Sequence, residues 1–508
     1  MNQIAWYIST HPEIKEVILL CGTESKTDLV ADICRLQPLR KLLIFTSTKE
    51  QKKNFSDFLE VAHYEEPGTL PKEICLKNRE ELLDYSPSST EFALVFDSLS
   101  KNEEILPYAA MAPKFLIGSL CKDQMNAFTI WEKYRKVSDE IHILSYLSYK
   151  KRNEVLHWER PTDNNIELSV IFPMYNVAKY LPKCIETTTA WKAEYIEYLF
   201  VDDGSPDNCS EIVEQYAKAD PRIKLLRKQN GGCASARQYG LEHAKGHYIG
   251  FIDPDDYIDP SMFRKLLTRA ITGSYEISYC GYNELYESTG ETMEVEDPLG
   301  WPYNEGTEDP VKINELIANQ RVAIWRGIYS KDLIQRSKIH FYLDLPRFDD
   351  LPFKVETLGK ARSVVAIPEY LYYYRMQRPG QDVAADDERL YVHFRIFEYL
   401  DAFARKCSDR NQLDYLQIAK FKTHLWALKK IRPEFAREYC KKTRSDLNSN
   451  FGFAESCYIF RRALSRKEKI IYLALELGAF RVARCLTTLS RSHRNDEKHA
   501  IEQLSELQ

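Results

Sequence analysis

The 508-residue sequence lacks several features that mark specialised classes of protein. No window approaches the 18 or so consecutive apolar residues that a membrane-spanning helix needs. The twelve cysteines include no CxxC pair, so neither a zinc site nor a disulfide framework is expected. Met1–Thr10 has no basic start and no long apolar run, which argues against a signal peptide. We therefore expect a cytoplasmic protein with reduced thiols.

The sequence also has little excess charge of either sign. Its 70 basic and 75 acidic residues leave a net charge of −5, which excludes a globally basic nucleic-acid-binding protein. Residues 431–508 nevertheless carry 15 basic and 10 acidic side chains, so a basic tail follows a more acidic body. A hydrophobic content of 44% with 12% aromatics indicates a folded chain rather than a disordered one.

Residues 1–160 alternate short apolar runs with helical patterns, which predicts a Rossmann-like α/β domain. Strands are predicted at Glu16–Cys21, Lys41–Thr46, Phe92–Phe96, Lys114–Ile117 and Glu140–Leu144, and helices at Asp28–Leu36 and Lys49–Ala62. The first strand leads into Cys21-Gly22-Thr23-Glu24-Ser25 rather than GxGxxG. A dinucleotide site is therefore poorly supported, and a structural or docking role is favoured.

The polar stretch Lys151–Asn165 predicts a linker to a second α/β domain over residues 161–383. From residue 384 the pattern becomes helical to the end of the chain. We thus expect three domains, of which the middle one carries the recognisable sequence motifs.

Two predicted strands in this domain end in candidate ligand-binding residues. Ile166–Phe172 runs into Pro173-Met174-Tyr175-Asn176, and Tyr195–Val201 runs into Asp202-Asp203-Gly204-Ser205. Open α/β sheets bind ligands at the carboxyl ends of their strands. The two aspartates can accept hydrogen bonds from a nucleobase N–H and a ribose hydroxyl. Alternatively, they are only turn and helix-cap residues.

A third strand, Ile223–Leu226, precedes Asn230-Gly231-Gly232 and a helix that contains Arg237. Glycines let the backbone approach a ligand, and the start of a helix favours a phosphate group. The alternative is a glycine-rich turn followed by a surface arginine.

The fourth strand, His247–Ile252, ends in Asp253-Pro254-Asp255-Asp256. Carboxylates crowded at a strand end repel one another, and a divalent cation relieves that repulsion while it contacts diphosphate oxygens. This order of motifs favours a site for Mn²⁺ or Mg²⁺ over a solvated acidic loop.

Together these motifs resemble those of glycosyltransferase family 2, the inverting transferases with the GT-A fold, over residues of about 166–376. The resemblance implies a nucleotide-diphospho-sugar donor, usually a UDP-sugar. It further implies that Asp202 or Asp203 contacts uracil and ribose, and that Arg237 lies near the base or phosphate. Asp255 would reach the metal, with Asp253 directed to ribose or metal.

The resemblance also implies a general base for the acceptor hydroxyl. Family members usually carry a Glu-Asp pair before an apolar helix, and Asp349-Asp350 stands at this point, with Asp349 in place of the glutamate. Asp350 is the favoured base and Asp349 the second choice. A pair of acids stabilised at a helix N-terminus is the alternative.

Three further segments are candidates for ligand contacts. Trp325 could stack on an acceptor sugar or pack in the core, and Arg375 could meet the diphosphate or lie on the surface. Gly290–Thr307 is irregular and polar, which is typical of an acceptor-side loop or lid.

The expected function is transfer of one sugar, with inversion, to a hydroxyl of a glycan or lipid-linked glycan, in capsule, O-antigen or lipooligosaccharide assembly. A sugar nucleotidyltransferase and a non-catalytic glycan-binding or scaffold subunit are the alternatives. The basic stretch Tyr458–Leu489 can lie on the anionic inner face of the cell membrane, or it can pack as an ordinary helical domain.

Overall fold

The computed structural model describes residues 166–487 except 288, 297–303, 305, 377–383 and 408, and, before them, residues 14, 16–20, 41–46, 53, 73–78, 92–96, 115–120, 128, 131, 132, 135, 140–145 and 154–159. The chain divides into two compact units. The first comprises residues 1–164 with 267–275, and the second comprises residues 165–266 with 276–508. The three predicted domain ranges remain a prediction.

The first unit contains a seven-stranded sheet of order β3-β2-β1-β4-β5-β6-β7. The strands β1 to β7 are Glu16–Leu20, Lys41–Thr46, Glu73–Asn78, Phe92–Phe96, Phe115–Leu120, Glu140–Ser145 and Glu154–Glu159. The first six strands are parallel, as strand–helix alternation predicts, and each of the five predicted strands is present. The two predicted helices lie almost entirely outside the described residues.

The linker prediction for Lys151–Asn165 is wrong over six of its residues. Glu154–Glu159 forms β7, which pairs antiparallel with β6 and places His142 opposite His157. Its polar composition suggested a linker, but an edge strand tolerates charged residues because they block pairing with other chains.

A second sheet forms the centre of the second unit, with the order β10-β9-β8-β11-β15-β13-β16-β12 and β14 added to β13. Strands β8 to β16 are Leu168–Met174, Ile196–Asp202, Ile223–Arg227, Tyr248–Phe251, Tyr257–Ile258, Ile277–Tyr286, Glu291–Glu294, Gly327–Ser330 and Val364–Met376. Strands β8 to β11 are parallel, so the four predicted motifs lie at one edge of this sheet.

Helices connect these strands. Helices α1 to α7 are Leu181–Thr188, Cys209–Ala219, Cys233–His243, Met262–Thr272, Pro310–Asn319, Lys331–Arg336 and Asp350–Lys360. The residues of α4 from 267 onward belong to the first unit. The segment Gly290–Thr307, predicted to be irregular, instead begins with β14, which pairs with β13.

The long strand β16 links distant parts of the second unit. It runs parallel to β13 and antiparallel to the short strand β12, where Ile258 lies opposite Tyr372. Because β12 directly follows the acidic segment after β11, this pairing brings the end of β16 to the carboxyl edge of the parallel strands.

The C-terminal region is helical, as expected. Helices α8 to α12 are Val392–Cys407, Arg410–Lys430, Pro433–Leu447, Phe453–Ala463 and Arg466–Glu476, and they share one buried apolar core with the second sheet. Within the part of the chain that the structure describes, no helix is long and apolar enough to cross a bilayer.

Candidate active site

The turn after β8 presents an exposed aromatic ring. Tyr175 is half exposed, and Asn176 adopts the left-handed conformation (φ 55°), in which asparagine is more tolerated than most residues. The Asn176 amide donates to Ser205 Oγ at 3.4 Å, which connects this turn to the one after β9. Pro173, Tyr175 and Asn176 thus lie at the sheet edge where donor binding is predicted.

The paired aspartates after β9 have different partners. Asp202 accepts hydrogen bonds from the Ser205 amide at 2.9 Å and from Ser210 Oγ at 2.6 Å. Partial burial opposes ionisation, but these hydrogen bonds prevail and lower the pKa of Asp202. The contact with the Ser205 amide is the turn contact of the simpler interpretation, whereas the N-cap side chain of the helix that follows makes no capping hydrogen bond within the described part of the chain.

Asp203 holds the glycine turn in place. Its buried carboxylate accepts hydrogen bonds from the Gly231 amide at 3.0 Å, the Gly232 amide at 2.7 Å and Lys228 Nζ at 2.5 Å. Gly232 has φ 87°, a conformation that other residues rarely adopt. The two glycine amides that precede α3 therefore already bind a carboxylate, which the sequence pattern alone did not indicate.

Arg237 connects two segments that are far apart in the sequence. It is 5% exposed, and its guanidinium binds Asp253 at 2.7 Å and Asp349 at 2.9 Å. Burial alone disfavours its charge, yet the nearby carboxylates, Asp349 foremost, raise the pKa of Arg237. Its Nε has no hydrogen-bond partner among the residues that the structure describes. Arg237 thus joins the acidic segment after β11 to the start of α7.

Two residues of β16 fix the acidic segment Asp253–Asp256. The Tyr372 hydroxyl donates to Asp256 at 2.7 Å and accepts from the Asp253 amide at 3.3 Å. The Arg375 amide donates to the Asp256 carboxylate at 2.7 Å, and its Nε donates to the Asp255 carbonyl at 2.8 Å. Sequence reasoning identified Arg375 and counted Asp256 among the crowded carboxylates, but it assigned no role to Tyr372.

Asp256 is a buried carboxyl group that lies close to other carboxylates. It is 1% exposed, and burial, then Asp255 and then Asp253, raise the pKa of its carboxyl well above the usual range. Five carboxylates lie on the segments joined here, at positions 253, 255, 256, 349 and 350. Two guanidinium groups, those of Arg237 and Arg375, contact these segments.

Arg375 has a further acidic contact. Its guanidinium lies 3.3 Å from Glu287 and 4.8 Å from the centre of the Tyr180 ring. Glu287 follows β13, and no motif indicated that it would reach the strand end. Arg375 is buried rather than a surface residue.

Trp325 is enclosed by tyrosines. Its ring stacks on Tyr372 at 4.1 Å and Tyr374 at 5.4 Å and meets the edge of Tyr282 at 4.9 Å. Only 6% of the residue is exposed. This arrangement corresponds to the core-packing alternative, and it supports the position of Tyr372.

The two candidate base residues differ in their surroundings. Asp349 precedes α7 and is buried in its ion pair with Arg237. Asp350 is the first residue of α7 and is half buried. The fold places both at the helix N-terminus, where a negative charge is favourable, and Arg237 brings them next to the acidic segment.

A metal ion at this edge would depend on its substrate for ligands. Across the described ranges, no group of three His, Cys, Asp or Glu side chains is arranged to hold a metal. Mg²⁺ is commonly bound through one or two carboxylates plus phosphate oxygens and water. Asp253, which also binds Arg237, and Asp255 would supply the one or two carboxylates of that mode.

Comparisons with known proteins agree with this geometry. The family model for glycosyl transferase family 2 matches residues 169–324. The uncharacterised glycosyltransferase EpsJ of Bacillus subtilis is 34% identical over 41% of this chain and 60% of its own length. Glycosyltransferase GlyG of Streptococcus pneumoniae is 28% identical over 48% of this chain and 80% of its own.

A solved structure shares the fold. Residues 1–349 of S. aureus TarS in complex with UDP-GlcNAc superpose with a TM-score of 0.51 at 17% identity, covering 65% of this chain and 92% of TarS 1–349. The second unit therefore has a GT-A fold. Residues 169–324 match the model for glycosyl transferase family 2, and the chain spans only about 60% of the length of relatives such as EpsJ.

Proposed function

We propose that the chain is an inverting glycosyltransferase that moves a sugar, a hexose or N-acetylhexosamine, from a UDP-sugar to a hydroxyl of a glycan or lipid-linked glycan. The observation that carries the proposal is Arg237, which binds Asp253 in the acidic segment and Asp349, the residue before Asp350. Transfer of a sugar requires the groups that bind the donor and the base that activates the acceptor to lie in one site. The UDP-GlcNAc bound to TarS supports a UDP-sugar donor.

In this proposal one group of residues surrounds the base and ribose of the donor: Pro173, Tyr175, Asn176, Asp202 and Asp203. A second group lies towards the ribose and diphosphate: Asn230, Gly231, Gly232, Arg237, Asp253 and Arg375. Arg375 would stabilise the diphosphate as its charge grows. Asp255 and Asp253 would hold Mn²⁺ or Mg²⁺. When bound, such a cation neutralises charge on the leaving group.

We propose Asp350 as the general base. Inversion requires a proton acceptor on the face of the anomeric carbon opposite the leaving diphosphate. Asp349 is already neutralised by the Arg237 guanidinium, which makes it the weaker candidate. Trp325 remains a candidate acceptor contact only if its tyrosine cluster opens.

The test measures UDP release from a panel of UDP-sugars in the presence of Mn²⁺ or Mg²⁺. GDP-sugars and CMP-sugars are tested in parallel through release of GDP and CMP. Asp350→Asn should lower turnover at least about a hundredfold, whereas the exposed control Asp332→Asn should not. Full activity of Asp350→Asn would refute its role as the base. Pyrophosphate release from a nucleoside triphosphate and a sugar phosphate would identify a nucleotidyltransferase, and no turnover with any donor would favour a scaffold.

The biological setting that we propose is bacterial surface-polysaccharide assembly. A matching B. subtilis relative, 43% identical over 20% of this chain, is a minor teichoic acid biosynthesis protein, GgaB. Capsule, O-antigen and lipooligosaccharide synthesis all use such transfers, and we propose that the enzyme works in the cytoplasm against the inner face of the cell membrane.

A further inference from the structure

Exposed apolar side chains are concentrated near the C-terminal end of the described chain. Of eleven large hydrophobic residues that are exposed among the described residues, six lie between positions 453 and 482. They are Phe453, Tyr458, Ile470, Leu473, Leu477 and Val482. Scattered apolar residues need no explanation, but a cluster marks an interaction site.

Helix α12 shows the feature most clearly because it is apolar on both sides. Its inner face buries Ile471, Tyr472 and Leu475 in the core. Its outer face presents Ile470, Leu473 and Leu477, which are 53%, 41% and 83% exposed. These three residues follow the i, i+3, i+7 spacing of a single helical face. A surface helix of a monomer normally places polar residues there.

Basic side chains border this outer face. Residues 461–484 contain seven Lys and Arg against two acids, Glu468 and Glu476, an excess of five positive charges. Arg466 and Lys467 begin α12, and Arg481 follows it, all exposed. No carboxylate among the residues described pairs with Arg466, Lys467 or Arg481. Glu468 instead caps α12 through the Ser465 amide.

We infer that the outer face of α12, with Arg466, Lys467 and Arg481, docks on an anionic phospholipid membrane. Apolar side chains with flanking cations suit the boundary between headgroups and acyl chains. A second copy of this chain fits less well, because a two-fold contact would oppose the same positive charges. The inference deepens the proposed function by defining the membrane-facing surface, and it rests on that proposal only for its biological meaning.

The experiment uses the full chain and sedimentation with vesicles of phosphatidylglycerol and phosphatidylcholine, compared with phosphatidylcholine alone. Binding is expected only to the anionic vesicles and should weaken as salt rises. Leu473→Ser with Leu477→Ser should lower the partition coefficient at least about tenfold. Arg466→Gln with Lys467→Gln should lower it by about tenfold or more. The exposed control Leu343→Ser should bind as the parent does.

Several outcomes would overturn the inference. These are absence of binding at low salt, equal binding to both vesicle types, or a dimer in sedimentation velocity that the double leucine variant dissociates. If the chain binds vesicles only after residues 488–508 are removed, the outer face of α12 would instead be the binding site of that segment. Soluble UDP release is measured in parallel. A parent that binds vesicles but releases no UDP would refute the enzyme and not the docking surface, and the reverse pattern would refute only the docking surface.

Discussion

Two clusters of buried charged side chains lie in the second unit, and their ion pairs are arranged differently. In the helical region, Lys420 is fully buried and its Nζ contacts Asp401 at 2.7 Å and Asp446 at 3.2 Å. His424 adds a contact to Asp446 at 2.7 Å. This cluster connects α8, α9 and α10, and both of its carboxylates contact the buried ammonium of Lys420.

The active-site cluster is arranged differently. Arg237 binds Asp253 and Asp349, whereas Asp256 is held by the Tyr372 hydroxyl and the Arg375 amide. Burial and the neighbouring Asp255 and Asp253 raise the pKa of Asp256, and perturbed carboxylates in one cluster are typical of functional sites. We therefore predict that the helical cluster stabilises the fold and that the sheet-edge cluster binds a ligand.

The sharpest way to separate the two clusters is to remove charge from the acidic one. Asp255→Asn should reduce UDP release by about 1,000-fold, the upper range for removal of a group that stabilises transition-state charge. Its unfolding midpoint should stay level or rise, because one like charge is lost from a crowded set. Denaturant unfolding with parallel UDP assays measures both. A large loss of stability would mean that the acidic cluster is structural.

Removal of the cation from the helical cluster should have the opposite effect. Lys420→Met leaves Asp401 and Asp446 buried without their partner, which should cost about 3–5 kcal/mol in the free energy of unfolding. UDP release per folded molecule should be unchanged. Lys441→Met, an exposed position on α10, is the matched control. An unaltered unfolding curve for Lys420→Met would refute the assigned role.

Acid should weaken the helical cluster through its buried histidines. Burial, and then the neighbouring His424, lower the pKa of His393 to about 3, below the value of about 6.5 in unfolded chains. Since the pKa of His393 is lower in the folded chain than in the unfolded chain, its contribution to the free energy of unfolding is fully present above pH 6.5. That contribution is lost as the pH falls towards 3. Between pH 6.5 and 5 the loss should be about 2 kcal/mol. His393→Gln should show a shallower dependence in urea unfolding, and an identical slope would contradict this.

The smallest expected effect concerns the hydroxyl that holds the acidic segment. Tyr372→Phe removes the hydrogen bonds to Asp256 and the Asp253 amide but keeps the stacking on Trp325. The loss of about 1 kcal/mol should lower kcat/KM for the donor about fivefold to tenfold. Tyr373→Phe, a neighbour on the other face of β16, should behave as the parent. Equal kinetics for both variants would exclude Tyr372 as a positioning residue.

Much of the fold followed from local pattern. Apolar runs ending in PxYN, DDGS, NGG and DPDD predicted β8 to β11 and the edge at which they end, because strand period and turn chemistry are local properties. The linker prediction failed at β7 because an edge strand and a polar linker have similar compositions. Trp325 remained ambiguous because an aromatic residue suits both a ligand surface and a core.

The sequence by itself determined the class of fold, the motif order and the candidate site residues. Only the tertiary structure decided which of them meet. Arg237 binds Asp349 across 112 residues, and Tyr372 binds Asp256 across 116. The second pair depends on β16 joining the sheet beside β12 and β13. Strand order is set by how the whole apolar surface packs, and no local pattern encodes it.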